Sequence, residues 1–393
     1  MSLSWLVPLG YLYFGVVSLF WIAALLQTAK GKRDLRFRVS TTDPGPEGAP
    51  PVAVIIPARN EVANIRPCLD SVLAQDYPAA RAFVLDDGST DGTTEILAGY
   101  ADRATILSGG GGALPPGWLG KPWACQRAAE AALASTPTPE WLLFIDADVR
   151  LHPRALSASL GYASNQNLMM LSGFGDLIMV TFWEQVMQPM IAGLIVADNP
   201  LDKVNDPARR PARPLANGQF ILLHREAWRA VGGHQAVASD VLDDVGLATA
   251  VTGKGLAYHL VFMRSLFSCR MYESFGAVWE GWTKNLFAGL HHRWSQVGSV
   301  VAFLGGLILL PHALLILAAL GLIGPPWAAL AALCVALMQV SRAYLDHTFE
   351  RPLWTGVFMP LGALLTIALF VNSALRAGAG KAVWKGRVIS RAP

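Results

Sequence analysis

Apolar and polar positions alternate along this chain on two length scales. At its two ends the apolar runs are long and uncharged. No charged side chain occurs between Met1 and Lys30, and Trp5 to Leu26 is long enough to cross a bilayer. Between Arg293 and Arg342 no side chain but His312 can add a charge. Gly324-Pro325-Pro326 divides that stretch into two helices. A further apolar run covers Trp354 to Leu375. These runs predict one N-terminal anchor, residues 1–28, and about three membrane helices within residues 296–376.

Between them the apolar runs are short and separated by helix-period segments. "VAVIIP" (Val52 to Pro57), "AFVLDD" (Ala82 to Asp87), "ATIL" and "WLLFIDAD" read as buried strands. Helices are expected over Asn60 to Leu73, after "GSTDG", and over about Gly120 to Ala134. Alternation of this kind predicts a mainly parallel α/β sheet with helices on both faces. A basic and Pro/Gly-rich linker, residues 29–51, joins the anchor to this unit, which runs over residues 52–290. A basic tail, residues 377–393, closes the chain.

Composition supports a membrane setting. Apolar types make up 53% of the 393 residues and charged types 15%, too apolar a balance for water alone. The positive charges Lys30, Lys32, Arg33, Arg36 and Arg38 follow the first apolar run. That order predicts an uncleaved anchor with its N-terminus outside and the following unit cytoplasmic, in a multi-pass protein of the inner (plasma) membrane. Four full spans would place Lys381, Lys385, Arg387 and Arg391 outside, against the positive-inside rule, which points to one re-entrant or interfacial segment. A net charge of +3 without basic-aromatic clusters gives no sign of a nucleic-acid partner. The cysteines Cys68, Cys125, Cys269 and Cys334 lack metal-ligand spacing and read as reduced structural thiols.

The chemistry gathers at the strand ends. Arg59-Asn60-Glu61, Asp86-Asp87-Gly88-Ser89 and Asp146-Ala147-Asp148 each follow a strand, and ligands bind at the carboxyl ends of such sheets. Oxygen ligands from several strands suit a hard divalent cation, Mg²⁺ or Mn²⁺, that also holds a phosphate. Without a cation, the acids would repel a diphosphate. Each motif alone is weak, being a common turn, cap or solvated loop. Together, in this order, they are not.

These motifs resemble the inverting glycosyltransferases of family 2, whose fold is GT-A. The resemblance is carried by "PARNE" (Pro57 to Glu61), "DDGSTDGT" (Asp86 to Thr93), "GKPWA" (Gly120 to Ala124) and "DAD" (Asp146 to Asp148). It continues in "NGQFILLHREAWRAVGG" (Asn217 to Gly233) and "LDDVGLATAVTGKG" (Leu242 to Gly255). With the flanking spans, "GWLGKPWAC" (Gly117 to Cys125) is similar to the narrower hopene-associated group, itself related to enzymes that glycosylate carotenoid acids and ceramide. The resemblance implies that Pro57, Arg59, Glu61, Asp86 and Asp87 hold the uridine of a UDP-sugar, with Lys121 near the nucleotide or diphosphate. It implies Asp146 at the ribose or sugar, and Asp148 as ligand of a Mg²⁺ or Mn²⁺ bridging the phosphates. Asn217, Gly218 and Gln219 would line the sugar and acceptor side. Asp243-Asp244 replaces the family's usual Glu-Asp, which makes Asp244 the implied general base, with Asp240 as a nearby rival.

One sugar, one base and one cation suffice for a single displacement with inversion. Family members that polymerise carry Gln-x-x-Arg-Trp beyond the base. Here the region reads "VWEGWTKNLF" (Val278 to Phe287), so one sugar per lipid acceptor is expected, with Lys284 helping to hold the diphosphate. Trp279, Trp282 and Trp294 read equally well as interfacial anchors. "FWEQVMQPMIAGLIV" (Phe182 to Val196) is short for a span and fits an interfacial helix, and "DKVNDPARRPARP" (Asp202 to Pro214) is a basic loop. The alternatives are a processive polysaccharide synthase and a non-catalytic nucleotide-binding scaffold.

Overall fold

The computed structural model describes residues 6–33, 36–378, 383–384 and 387–388. Of the basic tail, only Val383–Trp384 and Arg387–Val388 are described past residue 378; they pair antiparallel. The remaining tail charges lie outside the described residues.

The chain divides into two compact units. One, Phe37–Met179 with Ile195–Glu273, is built on two sheets. In chain order its strands are β1 (Val52–Ala58), β2 (Ala80–Asp86), β3 (Thr105–Ser108), β4 (Trp141–Phe144), β5 (Val149–Leu151), β6 (Met170–Phe174), β7 (Asp176–Leu177), β8 (Ile221–His224), β9 (Tyr258–Phe262) and β10 (Phe267–Cys269). The larger sheet runs β3-β2-β1-β4-β8-β6-β9, and the smaller runs β5-β10-β7. Every pairing in the larger sheet is parallel except the two made by β8.

The central strands carry no polar face because both faces are covered. Val54, Ile56, Val84, Leu143 and Ile145 enter one core, beneath the Ile65–Leu73 helix. Ala53, Ile55, Phe83, Leu85, Leu142 and Phe144 enter the other, beneath the Gly120–Leu133 helix. That second helix presents Ala124, Ala128, Ala129 and Ala132, small residues that let it lie close to the sheet. Each fully buried large aliphatic contributes about 1.5–3 kcal/mol, so this double coverage fixes the register of the strands.

One local expectation differs. The helix expected from Asn60 begins only at Ile65. Asn60 has a left-handed φ of +53°, and the backbone N–H groups of Asn60, Glu61 and Val62 donate to Ser89, Thr93 and Asp91 side chains. Those hydrogen bonds hold the segment as a loop locked to the β2 end.

The second unit comprises Val180–Leu194 and Ser274–Ala379 with the N-terminal helix. Four of its helices are long and apolar enough to cross a membrane: Val7–Gly31, Trp294–Ala319, Pro325–Thr348 and Leu353–Ala377. The break falls between Ala319 and Pro325, beside the Gly-Pro-Pro signal. Leu19, Ile316, Leu320 and Val340 are more than half exposed, as side chains meeting lipid would be. Trp327 packs against bare Gly10, where an added Cβ would lie 2.6 Å from the indole. Within the same unit, Arg342 Nε lies 2.7 Å from Asp346 Oδ2, and Thr355 Oγ1 bonds both side chains. Phe182–Asp198 is a helix of 17 residues, and its Phe182 stacks on Trp354.

Candidate functional site

Ala58 pairs with Asp86, and Ile55 with Phe144, so β1, β2 and β4 bring their carboxyl ends to one sheet edge. The antiparallel β8 starts where β4 ends, Ile221 opposite Phe144. Residues 217–220, which precede β8, therefore arrive beside Asp146.

At the β2 end the acids are held by their own loop. Asp86 accepts three hydrogen bonds, from Ser89 N–H, Ser89 Oγ and Thr94 Oγ1. Buried Asp87 pairs with Arg59 at 3.6 Å, and Arg59 also donates to the Asp87 carbonyl. Gly88 is left-handed at φ +70°, and an added Cβ would lie 2.4 Å from Gly111 Cα, so the chain needs glycine there.

At the β4 end, Lys121 Nζ lies 2.5 Å from Asp146 Oδ1. Burial works to lower the lysine pKa, yet the Asp146 and Asp243 carboxylates hold it well above the ordinary value. Pro57, Lys121, Asp146, Gly218, His234 and Asp243 all line one cleft. Asp243 and Asp244 occupy the first turn of the Asp243–Gly253 helix. Asp244 Oδ2 accepts the Gly218 N–H at 2.9 Å, and Oδ1 accepts the Val245 N–H at 2.8 Å. Burial and then the neighbouring Asp243 push the Asp244 carboxyl up to about 6. The rival Asp240 lies against Gly246, where an added Cβ would meet its Oδ2 at 2.5 Å.

Asp148 is distinct from its neighbour Asp146. Its Oδ1 is buried without a hydrogen-bond partner, while the Cys269 thiol bonds its carboxylate. Burial, then the charges of Asp146 and Glu61, push the Asp148 carboxyl up to about 7. A buried unpaired carboxylate oxygen is costly by itself, and a cation is the partner that removes the cost. Among the described residues no three His, Cys, Asp or Glu side chains form a ready metal cage. Asp148 is the residue of this site whose chemistry fits holding a divalent cation.

The other sequence-chosen residues divide. Glu61 accepts from Asn64 Nδ2 at 3.2 Å and lies close enough to Asp148 to raise its pKa. Gly218 lines the cleft, but the Asn217 amide is engaged by the Gly173 carbonyl and by Gln219 Oε1. Lys284 sits on the Phe275–Gly289 helix of the other unit. Sequence reasoning missed His234, Cys269 and Tyr272. Burial first, and then the Asp148 charge, raises the Tyr272 phenol. Only the Gly232-Gly233 doublet before His234 offered a signal.

Residues 53–231 match the family described as "Glycosyl transferase family 2". The 4,4'-diaponeurosporenoate glycosyltransferase of Staphylococcus aureus (strain MRSA252) is 28% identical over 242 residues, 61% of this chain and 61% of that protein. The chain thus matches about three fifths of the length of such curated relatives. Among solved structures, the mannosyltransferase PcManGT from Pyrobaculum calidifontis, in complex with GDP-Man and Mn²⁺, has a TM-score of 0.52 at 20% identity. It covers 92% of this chain and 98% of its own, a likeness of fold. A mainly parallel sheet with acids at its carboxyl edge, the order of the motifs along it and these matches converge: residues 53–231 form a domain of the family 2 glycosyltransferase type.

Proposed function

We propose that this protein is a membrane-bound, metal-dependent inverting glycosyltransferase that moves a single sugar from a UDP-sugar to a lipid acceptor of the isoprenoid class, hopanoid- or carotenoid-like. The observation that carries the reading is the placement of Asp244. Its carboxyl, raised to about 6, is fixed by the Gly218 N–H beside the cleft that Lys121, Asp146 and Asp243 share.

In this reading Asp86, Asp87 and Arg59, with Pro57 and Glu61, form the uridine side. Asp146 faces the ribose or sugar, while Lys121 neutralises charge beside the diphosphate. Asp148 is the carboxylate that would hold Mg²⁺ or Mn²⁺, which when bound offsets negative charge developing on the leaving diphosphate. Asp244 takes the proton from an acceptor hydroxyl as its oxygen attacks the anomeric carbon. Asn217 and Gln219 shape the loop that presents Gly218.

The carotenoid acid in the relative's name supports a long isoprenoid acceptor. A carboxylate acceptor needs no base, and a hydroxyl acceptor does. Loss of transfer in Asp244→Asn would therefore favour the hydroxyl. The apolar helices support a multi-pass protein whose acceptor arrives from the bilayer, and the basic residues after the first helix favour a cytoplasmic catalytic domain in the inner membrane.

The test is purified protein incubated with radiolabelled UDP-sugars and lipid extract, followed by mass spectrometry of the labelled lipid. One added sugar is expected. A ladder of products would instead establish a processive synthase, and UDP binding without turnover across a broad donor panel a scaffold.

A further inference from the structure

Trp294–Ala319 and Pro325–Thr348 pack on each other as a hairpin, joined by residues 320–324. Trp294 and Thr348 therefore lie at one end of it, and the connecting turn lies at the other. A further crossing helix leaving Thr348 would finish beside that turn. The Met359–Gly378 helix finishes elsewhere. Asn372 Nδ2 donates to Thr283 Oγ1 at 3.0 Å, and Ser373 Oγ accepts the Phe287 N–H at 3.0 Å. The Phe287 ring in turn lies 5.8 Å from that of Trp294. The far end of the helix is thus held at the Trp294 end of the hairpin.

Its near end is held there too. Leading into it is the short helix Leu353–Phe358, whose Gly356 carbonyl accepts from Gln339 Nε2 at 3.1 Å. Thr355 in the same turn joins Arg342 and Asp346. All three partners belong to the last ten residues of Pro325–Thr348. Met359 and Ala363 share a buried cluster with Leu304, Ile308 and Met338, so the helix starts at some depth and returns toward Trp294. Its 20 residues make about 30 Å of helix, enough for a bilayer core, without reaching the opposite end of the hairpin.

The helices beside it are not spans. Phe182–Asp198 leaves the sheet-bearing unit and runs back into it, and Phe275–Gly289, carrying Glu280 and Lys284, leads from that unit to Trp294. Gly362 lets the first of these approach closely, since an added Cβ would lie 2.8 Å from the Val186 carbonyl oxygen. Phe182 meets both Trp354 and Phe358, and Trp183 meets Phe275 at 4.9 Å. One side of the segment stays bare. Val357, Leu364 and Leu375 are spaced to share one helical face, and each is more than half exposed.

We propose that Leu353–Ala377 is a re-entrant segment, entering and leaving the bilayer on the side of the sheet-bearing unit. Its bare stripe then lies against the acyl chains of the leaflet on that side. The chain crosses three times, and Lys381, Lys385, Arg387 and Arg391 come to the same side as Lys30 and Arg36, as the positive-inside rule asks. The proposal rests on the apolar helices entering a bilayer.

The test labels the full chain in sealed membrane vesicles of both orientations with a membrane-impermeant maleimide. The four native cysteines are buried and give the baseline. Gly31→Cys reports the side of the sheet-bearing unit, Leu322→Cys the opposite side, and Arg376→Cys the end of the segment. Arg376→Cys should label with Gly31→Cys in one orientation, and Leu322→Cys only in the other. Nitroxides at Val357, Leu364 and Leu375 should all report depths within the leaflet next to Gly31. Labelling of Arg376→Cys together with Leu322→Cys, or a nitroxide in the far leaflet, would overturn the re-entrant assignment. Labelling of Gly31→Cys and Leu322→Cys from one side would instead overturn the membrane hairpin, and this assignment with it.

Discussion

Lys121 Nζ and Asp146 Oδ1 stand 2.5 Å apart, and the carboxylate of Asp243 acts on the same ammonium. One cation thus joins the end of β4 to the first turn of the helix that carries Asp244. Lys121→Met should raise the KM for the UDP-sugar at least tenfold and leave two acids facing each other unscreened. Both partners are part-exposed, so the stability cost should be modest, about 1–3 kcal/mol. Calorimetric UDP titration and thermal unfolding check the two effects separately.

Asp244 predicts the acid limb of the rate profile. A carboxyl raised to about 6 is protonated below that pH and cannot accept the acceptor's proton. For a hydroxyl acceptor, kcat/KM should fall tenfold per pH unit below about 6. Asp244→Asn should remove that limb together with nearly all transfer, whereas Asp240→Asn should retain both. A limb that persists in residual Asp244→Asn activity would assign the base elsewhere.

Asp148 predicts the metal response. Chelation should abolish transfer, and Mn²⁺ or Mg²⁺ should restore it. Asp148→Asn should lower transfer by about a hundredfold or more. Manganese electron paramagnetic resonance with UDP present should show a bound ion in the wild type and a weakened signal in the variant.

Gly218 predicts a separation of activity from stability. An added Cβ would lie 3.1 Å from Lys121 Nζ and 3.4 Å from Asp244 Oδ2, both able to give by a few tenths of an ångström. Gly218→Ala should displace these two groups and cut kcat about tenfold or more, with melting little changed. Gly88→Ala, at a left-handed position against Gly111 backbone, should instead unfold the site loop and lower the melting temperature.

In the membrane-type unit, Arg342 and Asp346 are both buried and satisfy each other with Thr355. Removing one partner strands a charge, so Asp346→Ala should cost about 3–5 kcal/mol. The double replacement Arg342→Met, Asp346→Leu should recover most of that. Thermal unfolding in detergent compares them.

Much of this was legible in the chain, for identifiable reasons. Continuous runs such as Val52 to Ile56 mark strands covered on both faces, and uncharged runs mark candidate spans, because each pattern reflects burial alone. The strand-end position of Asp86 and Asp146 follows from the same logic. What escaped depends on partners far apart in the chain. Nothing in "ILLH" distinguishes an antiparallel β8 from a parallel strand, and the loop at Asn60 is fixed by side chains some thirty residues away. The diversion of the Asn217 amide to the Gly173 carbonyl was hidden for that reason, as was the contact between Trp228 and His234 across a glycine doublet.

The reversed direction of β8 also bears on how such a protein changes over generations. The groups assigned to the nucleotide lie on residues 57–148, those assigned to the acceptor side on residues 217–244, and β4 and β8 join them in a four-pair ladder. Away from Gly218, Asp243 and Asp244, which act on Lys121, mutations on the later segment can therefore accumulate without touching the earlier one, so long as that ladder stays in register. On the proposed function, a lineage built this way can exchange the lipid it decorates while inheriting its taste for one nucleotide.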